Sequence, residues 1–395
     1  MTLPLTPIDH VFTGRGAYPL EFVFAYGGRI DPQRLEASLR RVLDSFPAAS
    51  SRLVRSGGRY GLEPSEEGCV FEVADSAGGF DADAPRTRFV APVETQEGEP
   101  LTRVRLTQTP SGSVLGVAMS HAVVDGFSYF HFLAAWSRAF RGEPFPPPSH
   151  ERERLLAAAD PALCGIDADA VARGCGLFLD RPRAATRRET LRWTRLLFPA
   201  VALRKLHETA QRGCPARLSH NDVLAAWLWR EHASHWIEPG ETDAWLSCPV
   251  DVRRLLRGFP RTYFGCAVAL ASTALDRDRL AAEPLPALAR RVRDAVAAVD
   301  GTAMGRALAT IEAVRERLGL AGLERLHVVH PRAGLLVTNL SRLPVRDIVF
   351  DSGPPVAFDI LVPAERCAVV LPAADGLDVR ICEPAVAGAP GQRPG

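Results

Sequence analysis

Two ionisable side chains stand four positions apart in "SHAVVDGFSYFHF", residues 120–132: His121 and Asp125, with Gly126 directly after. A histidine at a strand end is suited to general-base work, because its unperturbed pKa lies near neutrality. Gly126 argues for a turn that needs a backbone angle other residues avoid. The same residues also fit a hydrogen-bonded core histidine beside an Asp-Gly turn. Three fixed positions are few, and spacing alone favours that second reading.

Other segments carry groups that such a histidine would need. "CPVDVRRLL" (248–256) supplies Asp251, Arg253 and Arg254 after an apolar run. A buried Asp125 requires a cation or several donors, and arginine offers a planar, bidentate partner. The alternative is a solvated strand end. "LLVTNLSRLP" (335–344) places Thr338, Asn339 and Ser341 after another apolar run. These side chains can donate to a developing oxyanion, and they are equally ordinary turn formers. His232 and His235 sit one helical turn apart and could bind a metal, but no third ligand is apparent to complete a site, so an exposed helix end is the better reading and no metal is expected. The sequence holds no GxSxG elbow, Walker loop, HExxH or GxGxxG after a strand.

The elements that must position these groups are legible from periodicity. "LEFVFAYGG" (20–28) is a strand closed by glycines. In "DPQRLEASLRRVLDSFP" (31–47), Asp31 caps a helix, Pro32 suits its first turn, and Leu35, Leu39, Val42 and Leu43 share a face. "LTRVRLTQT" and "SVLGVAMSH", joined by "PSG", form a hairpin whose second strand delivers His121 at its end. After Gly126, "FSYFHFLAAWSRAFRG" is a largely buried helix. "GEPFPPPSHERERLL" (142–156) is the candidate crossing between halves, followed by a less patterned stretch to about 190.

The second half repeats the style. "TLRWTRLLF" is strand-like, "HNDVLAAWLWREHASHW" a helix, and "AWLSCPVDVR" and "FGCAVALAST" are strands. Residues 277–318 are mostly helical, and "GLLVTNL", "CAVVLPA" and "GLDVRIC" are short strands. Alternating strands and helices in both halves predict two α/β domains, 1–170 and 171–395, with a mobile tail after about 385.

With 395 residues, the chain has length for two ordinary cores. A net charge of +1 excludes a global field for nucleic acid or an anionic membrane. Lys205 is the only lysine beside abundant arginine, a composition expected of a GC-rich genome. Eight cysteines without a CxxC pair point to reduced thiols in a cytoplasmic protein. "MTLPLTPIDHVF" lacks the pattern of a secretory signal, and no apolar run approaches a membrane span.

Taken in order, these segments resemble the BAHD acyltransferases, within the wider superfamily of chloramphenicol acetyltransferase and the peptide-synthetase condensation domains. "LTPIDHVF" is similar to the family opening, and "PLTRVRLTQTPSGSVLGVAMSHAVVDGFSYFHFLAAWSRAFRG" resembles its HxxxDG region. "HNDVLAAWLWR", "VDVR" and "YFGCAVA" resemble later blocks, and "VTNLSRLPVRDIVFDSGPP" falls where the family has DFGWG. In that last block Phe350 and Gly353 fit, while Asp351 and Ser352 replace the glycine and tryptophan.

The resemblance implies two chloramphenicol-acetyltransferase-like α/β domains with an active site in a tunnel between them. It implies that His121 is the catalytic base, that Asp125 points away from substrate to pair with Arg253, and that Thr338 and Asn339 lie near the reacting carbonyl. The implied reaction moves an acyl group from acyl-CoA to a hydroxyl or amine of a small molecule in bacterial specialised metabolism, with acyl-CoA as cosubstrate and no permanently bound cofactor. Two alternatives stay open: transfer from an acyl or peptidyl carrier protein, and a non-catalytic binding protein of this fold. Condensation domains generally carry a second histidine where this chain has Ser120, and the chain is short for one. Both points favour a free-standing acyltransferase.

Overall fold

Strand Pro19–Tyr26 shows how alternation builds layers in this protein. Phe22, Phe24 and Tyr26 are buried on one side of the strand, Val23 and Ala25 on the other. A strand buried on both faces belongs inside a sheet that is covered on both sides. Its sheet runs, edge to edge, Ala357–Leu361, Pro19–Tyr26, Gly112–Ser120, Thr102–Thr109 and Cys69–Asp75. Only the last pairing is parallel. The hairpin expected around residues 110–112 forms, with Thr109 opposite Gly112. Helices Pro32–Leu43 and Gly126–Phe140 cover one face, where Phe22 meets Tyr129 and Phe130 at ring distances of 5.2 and 5.1 Å. Asp31 caps the first of these helices by accepting from the Arg34 N–H at 2.9 Å.

The computed structural model describes residues 2–81, 86–158, 173–185, 191–361 and 364–384. The expected boundary near 170 and the expected tail after about 385 lie outside the described residues. From 142 the proline-rich stretch runs to the second half, where Phe264 N–H donates to the Ser149 carbonyl at 2.8 Å. The second sheet runs Val268–Asp276, Asp243–Asp251, Gly334–Asn339, Cys367–Pro372, Leu377–Glu383 and Arg192–Phe198. Helices His220–His232, Leu285–Ala297 and Gly301–Leu323 contribute Leu228, Val292 and Ile311 to its core.

Two features tie the sheets together. Strand Ala357–Leu361 leaves the second half and adds an edge to the first sheet, pairing antiparallel with Pro19–Tyr26. Residues 263–267 lie between two buried carboxylates: Cys266 N–H donates to Asp9 at 3.3 Å and Ala267 N–H to Asp125 at 2.9 Å. Asp9 also holds Arg152 at 2.6 Å, both almost fully buried.

Candidate active site

Strand Gly112–Ser120 is buried along its whole length and ends at the residue before His121. Ser120 shapes the turn that follows. Its Oγ accepts from the Ala122 N–H at 3.1 Å and bonds Thr95 Oγ1 at 2.7 Å. Asp125 then starts the next helix as its N-cap, with extended backbone (φ −95°, ψ −178°) and a carboxylate accepting from Ser128 N–H at 2.8 Å. His121 is thus held between a rigid strand end and a capped helix.

The imidazole stacks on Phe12, with ring centroids 4.0 Å apart and planes 14° from parallel, and meets Tyr18 edge-on at 5.8 Å. Its Nδ1 is buried without a hydrogen-bond partner among the described residues. Burial lowers its pKa from the ordinary 6.5, while its own backbone carbonyl and the Asp125 charge oppose that shift. The ring is therefore neutral at pH 7, as a base must be.

Asp125 does not contact His121 by hydrogen bond; its oxygens are committed elsewhere. One accepts from Ser128 N–H and from Arg253 Nη2 at 3.0 Å, the other from Arg253 Nη1 at 2.7 Å and Ala267 N–H. Burial alone would raise its pKa. The Arg253 charge and these donors outweigh burial and hold the carboxyl below its usual range. Arg253 is 1% exposed and also donates to Asp251, Ser128 Oγ and the Tyr263 and Gly265 carbonyls. Phe127 covers its guanidinium at 4.6 Å. The pairing implied for Asp125 and Arg253 is present in the geometry.

Gly126 requires a correction. It has no positive φ; it is the first residue of helix Gly126–Phe140. The Asp125 cap makes the turn, so the glycine serves space instead. A Cβ there would sit 3.3 Å from Leu340 Cδ2 and 3.6 Å from Leu343 Cδ1, two side chains of the cavity wall.

That cavity, about 460 Å³, lies between the sheets. Leu20 and Ile360 reach it from the first sheet, Val268 and Val369 from the second, and His121, Asp125, Arg253, Thr338 and Asn339 all line it. Thr338 and Asn339 close strand Gly334–Asn339 but divide by alternation. Thr338 shares the face of Leu336, which packs in the first sheet's core; Asn339 shares that of Val337, in the second core. Asn339 is also occupied: its amide donates to Asn221 at 2.8 Å and its oxygen accepts from Ser341 N–H at 3.0 Å. Two cavity thiols, Cys248 and Cys367, are pushed up to about 12 by burial, which keeps them protonated and poor nucleophiles. Among the described residues, no group of three or more His, Cys, Asp or Glu is placed to hold a metal. No described helix is long and apolar enough to cross a membrane.

Over residues 2–383 the sequence matches the family model described as Transferase family. The chain belongs to that family, the BAHD acyltransferases. Hydroxycinnamoyltransferase 2 of Oryza sativa subsp. japonica is 29% identical over 371 residues, covering 89% of this chain and 83% of its own. The Avena sativa hydroxycinnamoyl-CoA:5-hydroxyanthranilate N-hydroxycinnamoyltransferase HHT4 is 28% identical over 388 residues, covering 92% and 84%. F. graminearum TRI101, solved with ethyl coenzyme A, shares the fold with a TM-score of 0.73 at 16% identity, over 97% of this chain and 95% of that one. The fold is the two-domain architecture of chloramphenicol acetyltransferase. As a BAHD protein, the chain is an acyl-CoA-dependent O- or N-acyltransferase with acyl-CoA as cosubstrate.

Within this BAHD protein the block in the DFGWG place has a structural task. Phe350 is buried against Tyr26, Trp136 and Phe140, and Asp351 pairs with Arg34. None of residues 349–353 lines the cavity. Phe12 and Tyr18, which flank the His121 ring, were not legible as site residues. Phe12 has only the opening block "LTPIDHVF" as a sequence signal and Tyr18 lies beyond it, and contact with residue 121 is a long-range matter.

Proposed function

We propose that this BAHD enzyme transfers an acyl group from acyl-CoA to the hydroxyl or amine of a small acceptor by direct attack, with His121 as general base. The observation that carries the reading is a buried imidazole, its pKa lowered by that burial, lining an apolar cavity between two sheets, beside a carboxylate wholly engaged by Arg253 and backbone N–H groups. His121 accepts the proton as the acceptor oxygen or nitrogen attacks the thioester carbonyl. The Thr338 hydroxyl, on the face toward the first core, donates to the oxyanion; Asn339 supports the turn beside it. Collapse breaks the C–S bond, and the imidazolium returns its proton to the departing thiolate. Asp125 keeps the helix start in place and takes no proton.

Both relatives' names carry a hydroxycinnamoyl group as the acyl moved, and one adds an amine acceptor, 5-hydroxyanthranilate. We place the enzyme in bacterial specialised metabolism, in keeping with the GC-rich genome that its arginine-rich, lysine-poor composition suggests, and in the cytoplasm, a reading supported by eight cysteines without a CxxC pair. The test is thiol release from a panel of acyl-CoA esters offered with 5-hydroxyanthranilate and other small alcohols and amines. His121→Ala is expected to lower turnover by roughly two to four orders of magnitude while leaving the fold intact. Because burial depresses the base's pKa, the acid limb of kcat/KM should fall below pH 6.5. A folded variant with near-full activity sinks the assignment. Turnover only from the same acyl group on a phosphopantetheinylated carrier protein replaces the donor and leaves His121 in its role.

A further inference from the structure

The Nδ1 of His121 has no hydrogen-bond partner on any other described residue, only its own backbone carbonyl near by, so packing helps to set the ring plane, and Phe12 supplies the stacked face. What holds Phe12 lies far along the chain. Helix Pro7–His10 and the turn after it end in carbonyls without helical partners, as helix ends do. The Arg183 guanidinium takes them up. It donates to the Val11 carbonyl at 2.7 Å and the Thr13 carbonyl at 2.6 Å, one on each side of Phe12. Further bonds reach Leu326 at 2.9 Å and Arg15 at 3.4 Å. All are to carbonyls; burial lowers the Arg183 pKa, and its guanidinium makes no ion pair among the described residues.

The same loop is tied at two more points, one of which leads on to the turn of His121. Arg15 N–H donates to Glu324 at 3.0 Å, Gly14 N–H to the Thr95 carbonyl at 2.9 Å, and Thr95 Oγ1 bonds Ser120 beside His121. Arg183 itself is anchored to the second half, its N–H donating to the Glu324 carbonyl at 2.9 Å. The loop that carries Phe12 is thus gripped from both sides of the cavity.

We infer that Arg183 is a positioning residue for His121, acting through the backbone of residues 11–15 and the Phe12 ring. The inference rests on the reading of His121 as base. Releasing the loop lets the ring that covers the imidazole drift, which costs orientation and admits water. Misplacement of about 1 Å from a distant substitution is enough for roughly a 100-fold loss in rate. The titratable and charged groups near the imidazole are Asp125 on its own turn and Tyr18 at its edge, with Arg183, Cys266 and Cys367 around Tyr18. None of the substitutions below replaces Asp125 or Tyr18, although Phe12, whose ring meets Tyr18 edge-on at 5.7 Å, and Arg183 both border Tyr18.

The experiment compares Arg183→Met, Phe12→Leu and the double variant in the full chain. One readout needs no substrate: the titration of His121 followed by NMR of histidine-labelled protein, assigned with His121→Ala. Both single variants should move its pKa up toward 6.5, because the desolvation that lowers it is relieved. The second readout is kcat against KM with the best donor and acceptor of the panel. Arg183→Met should lose about 10–100-fold in kcat with KM changed far less, and the double variant should lose less than the product of the singles. A His121 titration and kcat identical to wild type in folded Arg183→Met overturn the proposal. Should that variant not fold, Phe12→Leu decides by the same readouts. Full activity of His121→Ala removes the base assignment instead, whereas loss in His121→Ala with silent Arg183→Met and Phe12→Leu removes only the positioning role.

Discussion

At the scale of single residues, the decisive fact is how Asp125 spends its two oxygens. Four donors share them, two from Arg253 and two backbone N–H groups from Ser128 and Ala267. Removing either side chain leaves an uncompensated charge in a dry place, so Asp125→Ala and Arg253→Ala should each cost about 3–5 kcal/mol in denaturant melts. The double variant should cost less than their sum; small additive losses would show that the pair contributes nothing. The sign with pH follows from a folded pKa held below the ordinary 3.8. The pair's stabilisation is fully present above that value and is lost as pH falls through the depressed folded pKa. The gap between wild type and Asp125→Ala should therefore be constant from pH 6 to 8 and close only in acid.

At the scale of elements, Gly126 separates two explanations of one motif. Were a positive φ required, any side chain would strain the backbone. At the first position of helix Gly126–Phe140 an alanine suits the backbone, and only Leu340 and Leu343 stand near its Cβ. Gly126→Ala should leave stability within about 1 kcal/mol of wild type and raise KM or lower kcat several-fold by narrowing the cavity. A loss of several kcal/mol with unchanged kinetics would restore the backbone explanation.

The same contrast marks what the sequence made legible. Helix Pro32–Leu43 and the hairpin of residues 102–120 could be read because cap, period and turn are local signals. The pairing of Asp125 with Arg253 became readable only through family resemblance, since spacing does not encode a contact across 128 positions. The Phe12 stack and the Arg183 clamp were not readable at all. Arg183 lies in the stretch without periodicity, and its partners are carbonyls, which every residue has.

At the scale of the whole molecule, neither half owns its core. Ile8, Phe12 and Ala122 pack into the second core, while Phe264, Leu336 and Phe350 pack into the first. Strand Ala357–Leu361 completes the first sheet from the far end of the chain, and residues 263–267 are bonded to both Asp9 and Asp125. Opening one half therefore exposes apolar surface and buried carboxylates of the other, which couples the two halves energetically. Unfolding should be a single cooperative step despite the two sheets. Trp136 is buried in the first core and Trp229 in the second, so each reports on one side. In protein labelled with fluorotryptophan, the two resonances should disappear at one urea midpoint. Separate midpoints would mean that the halves fold alone, and that the cavity between them is assembled by docking two finished domains.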